Sequence, residues 1–166
     1  MPQTSQPVVL KGGCQFGRVT YTSTALPSDL SNCHCKTCRK LSGAPFLTFG
    51  DFPASAITWI SGEDTLKKTS YSEMATRTHC AECGSPISMQ YKCQPDQISI
   101  AAGTIDEESV KGKLPKVGAH IFVDSMDNDG WYELPKDGIK RYGRFSTGFQ
   151  RRVDAWKQVL TSPGFG

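Results

Sequence analysis

No run of this 166-residue chain is apolar and long enough to span a bilayer. The N-terminus, Met1-Pro2-Gln3-Thr4-Ser5-Gln6, lacks the charged and apolar regions of a secretory signal. Together these absences lead to the expectation of a cytoplasmic protein with no membrane partner, in a compartment that keeps thiols reduced. A basic stripe is also missing. Lys67-Lys68, Arg39-Lys40 and Arg151-Arg152 are short pairs that read as solvated surface, which argues against nucleic acid as a partner. There is no internal repeat of fixed period, and at this length the chain fits one domain, expected over 8–160 with flexible tails at 1–7 and 161–166.

What the chain does have is seven cysteines, six of them in three groups. Cys14 stands in Gly12-Gly13-Cys14-Gln15-Phe16-Gly17; Cys33, Cys35 and Cys38 form a C-x-C-x-x-C run; Cys80 and Cys83 form a C-x-x-C pair followed by Gly84. Cys93 stands apart. An odd count without a secretory signal argues against a disulfide framework. Redox C-x-x-C chemistry sits at the start of a helix, and Gly84-Ser85-Pro86 forbids a helix after Cys83. Zinc, which favours thiolates in tetrahedral array, is the reading that remains. The middle run delivers three sulfurs to one point and leaves a fourth position open, the arrangement that accepts water or a substrate. Gly17 and Gly84 supply the tight turns that aim backbone amides at a sulfur, so Cys14 reads as a knuckle ligand joining Cys80 and Cys83. Two zinc ions held by three thiolates each would bring the formal charge from +3 to about +1.

Short β-type runs dominate: Val8–Lys11, Arg18–Thr24, Phe46–Phe49, Ile57–Ile60, Leu66–Tyr71, Ile87–Tyr91, Ile98–Ala101 and His120–Val123. From Thr147 onward Phe149, Val153, Trp156 and Leu160 recur at near-helical spacing, with Ser146 or Thr147 as a cap, so a closing helix packed on a sheet is expected. His34, between two ligands, is expected to point away from the metal. His120 is a candidate general acid or base and equally a satisfied strand histidine. Arg39 and Lys40, beside Cys38, are candidates to meet a substrate carboxylate, with plain surface charge as the other reading. Ser42, Thr48 and Trp131 could line the same cleft, and ordinary packing explains each as well.

Three stretches carry a resemblance: Gly12–Tyr21, Asn32–Phe46 and His79–Ile87, with a looser match in Gly118–Val123 and Gly130-Trp131-Tyr132. In that order they resemble the glutathione-dependent formaldehyde-activating enzymes, the GFA or centromere protein V domain family. The resemblance implies a mainly β, Mss4-like fold of zinc-stapled sheets with a short C-terminal helix. It implies a catalytic zinc on Cys33, Cys35 and Cys38, a structural zinc on the first knuckle with Cys80 and Cys83, and a carbon–sulfur lyase handling a glutathione-like thiol adduct of an aldehyde or an activated carbonyl. The chain departs from the pattern at Phe16, where the first knuckle should carry a second cysteine. The site then keeps Cys14, Cys80 and Cys83, and its fourth donor is water, His79, Cys93 or another residue. A lyase or isomerase with a changed substrate, and a zinc-stabilised binding module, are the alternative readings.

Overall fold

The structure, a computed structural model, describes residues 6–126 and 130–161. Apart from Gln6, Pro7 and Thr161, the expected tails lie outside the described residues. Among the described residues there are eleven strands and two α-helices, so the fold is mainly β. Strands β1 (Leu10–Gly13), β2 (Thr20–Ser23) and β5 (Ile57–Ser61) form a small antiparallel sheet. The larger sheet runs β11-β10-β3-β4-β9-β8-β7-β6. Its members are β3 (Leu30–Cys33), β4 (Leu47–Pro53), β6 (Leu66–Ser72), β7 (Ala75–Cys80), β8 (Pro86–Tyr91), β9 (Gln97–Ala101), β10 (Val117–Ile121) and β11 (Lys140–Arg141). Pairing is antiparallel except where β10 lies parallel to β3 and β11.

All eight strands expected from the sequence are present, with ends shifted by up to a few residues. The run at His120–Val123 is the largest correction: its strand lies earlier, because Phe122 takes a left-handed backbone (φ 59°) that ends the ladder. Three strands and one helix went unread. In β3, Leu30-Ser31-Asn32-Cys33 has too little apolar pattern to announce itself, yet it lies between β4 and β10 in the larger sheet. Helix α1 (Lys36–Ser42) lies inside the cysteine run; Cys35 is its N-cap, its sulfur accepting from the Cys38 amide at 3.4 Å, and Gly43 (φ 67°) ends it.

Three apolar cores hold the layers. Leu10, Tyr21, Phe52, Ile100 and Ile105 join the two sheets, with Tyr21 edge-on to Trp59 at 5.9 Å between ring centres. Cys14, Val19, Cys80 and Ile87 form a second core at the knuckles. Cys33 and Cys38 are themselves core residues, packed with Phe49, Ala75, Met89 and Ala101. Helix α2 (Thr147–Thr161) closes the chain: Val153 is buried and Phe149 stacks edge-on against Tyr91 at 4.7 Å. Leu160 of the same expected stripe stays exposed. No helix among the described residues is long and apolar enough to cross a membrane.

Candidate metal centres

The first centre is built by two hairpin turns of the same design. After β1, the Cys14 amide bonds the Val19 carbonyl and the Gly17 amide returns to the Cys14 carbonyl, both at 2.9 Å, with Gly17 at φ 68°. After β7, the Cys80 amide bonds Ser85 at 3.0 Å and the Gly84 amide returns to Cys80 at 2.9 Å, with Gly84 at φ 75°. A glycine with positive φ, fourth from Cys14 in one loop and fifth from Cys80 in the other, lets each loop close while its amides turn toward sulfur. The Val19 amide lies 3.3 Å from the Cys14 sulfur, and the amides of Cys83 and Glu82 donate to the Cys80 sulfur. Burial pushes the Cys80 thiol up and these amides pull against it; the three sulfurs lie within 4.8 Å of one another, so the group could hold a metal.

Neither His79 nor Cys93 belongs to that group. The Phe16 ring is 66 % exposed, while its backbone amide donates to the Cys83 sulfur. The Ser85 hydroxyl stands 3.2 Å from the Cys83 sulfur and accepts from the Gln15 amide at 3.1 Å. Hydrogen bonding from Ser85, hydroxyl first and amide second, brings the Cys83 thiol down to about 6.

The second centre is the trio at the junction of β3 and α1, whose sulfurs also lie within 4.8 Å. Cys33 ends the strand beside Leu47 of β4 and Ile121 of β10; Cys35 caps the helix; Cys38 follows in its first turn. Hydrogen bonds from Cys33 and Cys38 hold Cys35 far below an ordinary thiol, and the same sharing pushes Cys33 up. The Arg77 guanidinium, from β7, donates to the Cys38 sulfur at 3.4 Å and lies over the Phe49 ring at 5.6 Å. Burial disfavours its charge, and the Cys38 sulfur outweighs that effect, so Arg77 stays firmly cationic. Three soft donors, held without a disulfide and with a cation in place to offset their charge, fit a zinc-type ion.

Two cavities meet at the trio. One, of about 400 Å³, has Cys33 in its wall together with Asp29, Asp51 and Lys140. The other, of about 330 Å³, is lined by both Cys33 and Cys35. Tyr91, Met89 and Phe145 contribute to both, forming the partition between them.

His120 lines neither cavity. Its register partner on β3 is Asn32, whereas the partner of Cys33 is Ile121, so its side chain lies on the opposite face of the sheet. There a buried line runs from the Pro45 carbonyl to His34 Nδ1 (3.2 Å), from His34 Nε2 to His120 Nδ1 (2.9 Å), and from His120 Nε2 to Asp137 Oδ2 (3.0 Å). The carbonyl only accepts, so His34 Nδ1 carries its hydrogen and Nε2 accepts from His120. The Asp137 carboxylate only accepts as well. His120 Nε2 therefore donates to the Asp137 carboxylate. Burial, then the neighbouring His120, lowers His34 to about 4 and keeps it neutral.

The other sequence candidates also lie elsewhere. Arg39 donates to the Ser125 carbonyl at 2.8 Å and lines a separate small cavity with Trp131; Lys40 is exposed on α1. Ser42 closes the α1 turn by donating to the Phe46 carbonyl, and Thr48 donates to Asn32. The cations that do reach the trio's cleft are Arg77, Arg144 and Lys157. A lone arginine in the polar strand Thr76-Arg77-Thr78 and two basic residues beside or within a C-terminal helix carry no sequence signal, because pairing and helix docking bring them to the sulfurs.

Comparison with known proteins agrees with this architecture. A family model described as glutathione-dependent formaldehyde-activating enzyme matches residues 9–125. No curated protein matches. Among solved structures, a Rhodobacter sphaeroides protein from a structural genomics programme superposes with a TM-score of 0.52 at 20 % identity, over 63 % of this chain and 97 % of its own, which speaks to fold.

Proposed function

Since this chain belongs to the glutathione-dependent formaldehyde-activating enzyme family, we propose that it is a zinc-dependent carbon–sulfur lyase, making or breaking the adduct of a thiol with an aldehyde or working on an activated carbonyl. The observation that carries the reading is the convergence of Cys33, Cys35 and Cys38 within 4.8 Å of one another, with Cys33 and Cys35 on the wall of a cleft of about 330 Å³. Cys33, Cys35 and Cys38 hold the catalytic ion, and Cys14, Cys80 and Cys83 hold a structural one. Bound at the trio, zinc supplies a Lewis-acidic position that lowers the pKa of a thiol or polarises a carbonyl.

The protein's own part is to place and shield the reactants. In the synthetic direction the S–H proton leaves the thiol, a C–S bond forms at the aldehyde carbon, and the carbonyl π pair takes a proton to become a hydroxyl; no electron donor or acceptor is needed. Arg77, itself part of the cleft's lining, offsets the negative charge of the sulfurs through its contact with Cys38. Tyr91, Met89 and Phe145 narrow the space and exclude water, which favours a thiol over hydroxide as the nucleophile. His120 acts as a positioning residue: with His34 it pins the backbone of Cys33 to Cys35, whose amide at His34 bonds the Ile121 carbonyl at 2.9 Å.

The test joins metal analysis to exchange NMR of thiol and formaldehyde on wild type and Cys35→Ser. Two zinc ions per chain and catalysed exchange in wild type, with one ion and no catalysis in the variant, is the expected result. A variant that keeps both ions, or a fully loaded wild type that leaves exchange at the uncatalysed rate with every thiol tried, removes the reading.

A further inference from the structure

Apart from the trio's own sulfurs, the charged side chains that line the cleft are Arg77, Arg144 and Lys157, and no aspartate or glutamate contributes to its lining. They stand at different depths. Arg77 is half-buried and tied to Cys38, whereas Arg144 and Lys157 are exposed. Among the described residues the ion pairs are Arg18–Glu82 and His120–Asp137, so neither outer cation has a carboxylate of its own. The adjoining cavity differs: Asp29 and Asp51 contribute to it beside Lys140. The positive character therefore belongs to the cleft that holds both Cys33 and Cys35, and an anion entering the neighbour would meet carboxylates instead.

Met74, Met89, Tyr91, Phe122, Phe145 and Val153 supply the larger part of the remaining wall, and Thr37, Tyr71, Ser72 and Gln150 its polar part. Phe122 holds its left-handed backbone with its amide on the Arg144 carbonyl at 3.0 Å, and its ring meets Phe145 edge-on at 4.7 Å. For a bulky residue that conformation is strained, and the strain is kept here where it presents an aromatic ring to the cleft. The aromatic and aliphatic part of this wall fits a hydrocarbon or aryl body. A substrate ammonium would have no carboxylate in the lining to meet, and beside Arg144 and Lys157 it would be repelled.

Resting on the reading under Proposed function, we infer that the natural substrate is a small acid with an apolar, aryl-sized body and no amino group. Its carboxylate sits at Arg144 and Lys157 and its thiol or carbonyl end sits at Cys33 and Cys35. The residues that select it lie largely beyond position 125, where the family match ends: Arg144 and Phe145 precede α2, and Val153 and Lys157 lie on it. The C-terminal helix is the specificity element of this chain.

Cobalt-loaded protein tests this through the absorption bands of the metal. The thiol probes are 4-(mercaptomethyl)benzoate, benzyl mercaptan and glutathione; the carbonyl probes, followed by saturation-transfer NMR, are 4-formylbenzoate and benzaldehyde. The aryl acids are expected to bind about tenfold more tightly than their uncharged partners, as a charge-assisted pair provides. 4-(Mercaptomethyl)benzoate is expected to bind more tightly than glutathione. In the double variant Arg144→Gln, Lys157→Gln, both side chains being exposed, the advantage of the acids should vanish while benzyl mercaptan binds as before. Glutathione binding as tightly as the aryl acid, or an acid preference that survives in the double variant, overturns the inference and leaves the zinc–thiol reading standing. Cobalt bands unmoved by every thiol, with no saturation transfer to either aldehyde, overturn that reading itself and this inference with it.

Discussion

Arg77 shows how much of the trio's chemistry rests on one side chain outside the motif. Its guanidinium reaches the Cys38 sulfur at 3.4 Å from a strand two places from β9 in the sheet. A cation there favours thiolate over thiol, so its removal raises the pH at which the trio gives up its protons. Arg77→Leu keeps an apolar stem on the Phe49 ring and deletes the charge. Thiolate absorbance of the metal-free protein should then rise at higher pH than in wild type. Zinc affinity of the trio at neutral pH should fall about tenfold, the scale of one charge-assisted hydrogen bond. Unchanged titration and affinity would show that the sulfurs do not feel Arg77.

Among the elements, the two knuckles are the ones whose sequence and structure agree most closely. Gly17 and Gly84 mark them in the chain, both adopt positive φ, and Cys14, Cys80 and Cys83 converge as expected. A metal held at this buried knuckle core would staple the small sheet to the large one. Cys80→Ser should therefore cost zinc from that site and lower the melting temperature by roughly 10 °C, since each kcal/mol shifts a chain of this size by about 2–4 °C; an unmoved melt with full zinc would exclude the staple. Phe16→Cys replaces an exposed ring and offers a fourth sulfur. Cobalt spectra should then gain four-sulfur character and zinc should bind more tightly; spectra like wild type would mean that position 16 cannot turn inward. Elements defined by local rules were legible: the alternating strands, the glycine turns, the helix after Thr147. What was not legible depended on partners far away in sequence. Leu30-Ser31-Asn32-Cys33 is a strand because β4 and β10 flank it, and α1 forms because Cys35 caps it from within the metal motif. The cleft cations were hidden for the same reason, and Arg39, adjacent to Cys38 in sequence, turns to Ser125 instead.

At the scale of the whole molecule, the His34–His120–Asp137 line ties the segment before β11 to β3 and β10, and it makes stability depend on acid. His34 is buried and titrates near 4 in the folded chain, against about 6.5 when unfolded. Between those values the unfolded chain binds a proton that the folded chain refuses, so stability rises with pH across the window and falls as pH drops from about 6.5 toward 4. The full span amounts to on the order of 3 kcal/mol for this one ring. Asp137 adds to it with the same sign. The His120 hydrogen bond, then the Ile139 amide, holds its carboxyl below the usual range, a stabilisation present above about 3.8 and lost as pH falls through the folded value. Denaturant melts of zinc-loaded protein from pH 7 to 4 should thus lose stability throughout, while imidazole NMR shows the His34 ring neutral down to about 4. His120→Leu removes the partner of Asp137 and the partner of His34 together, and it should lower stability at pH 7 more than at pH 4, while the part of the slope that comes from burial of His34 stays. A His34 ring that protonates near 6.5 in the folded protein would place the acid sensitivity outside this line.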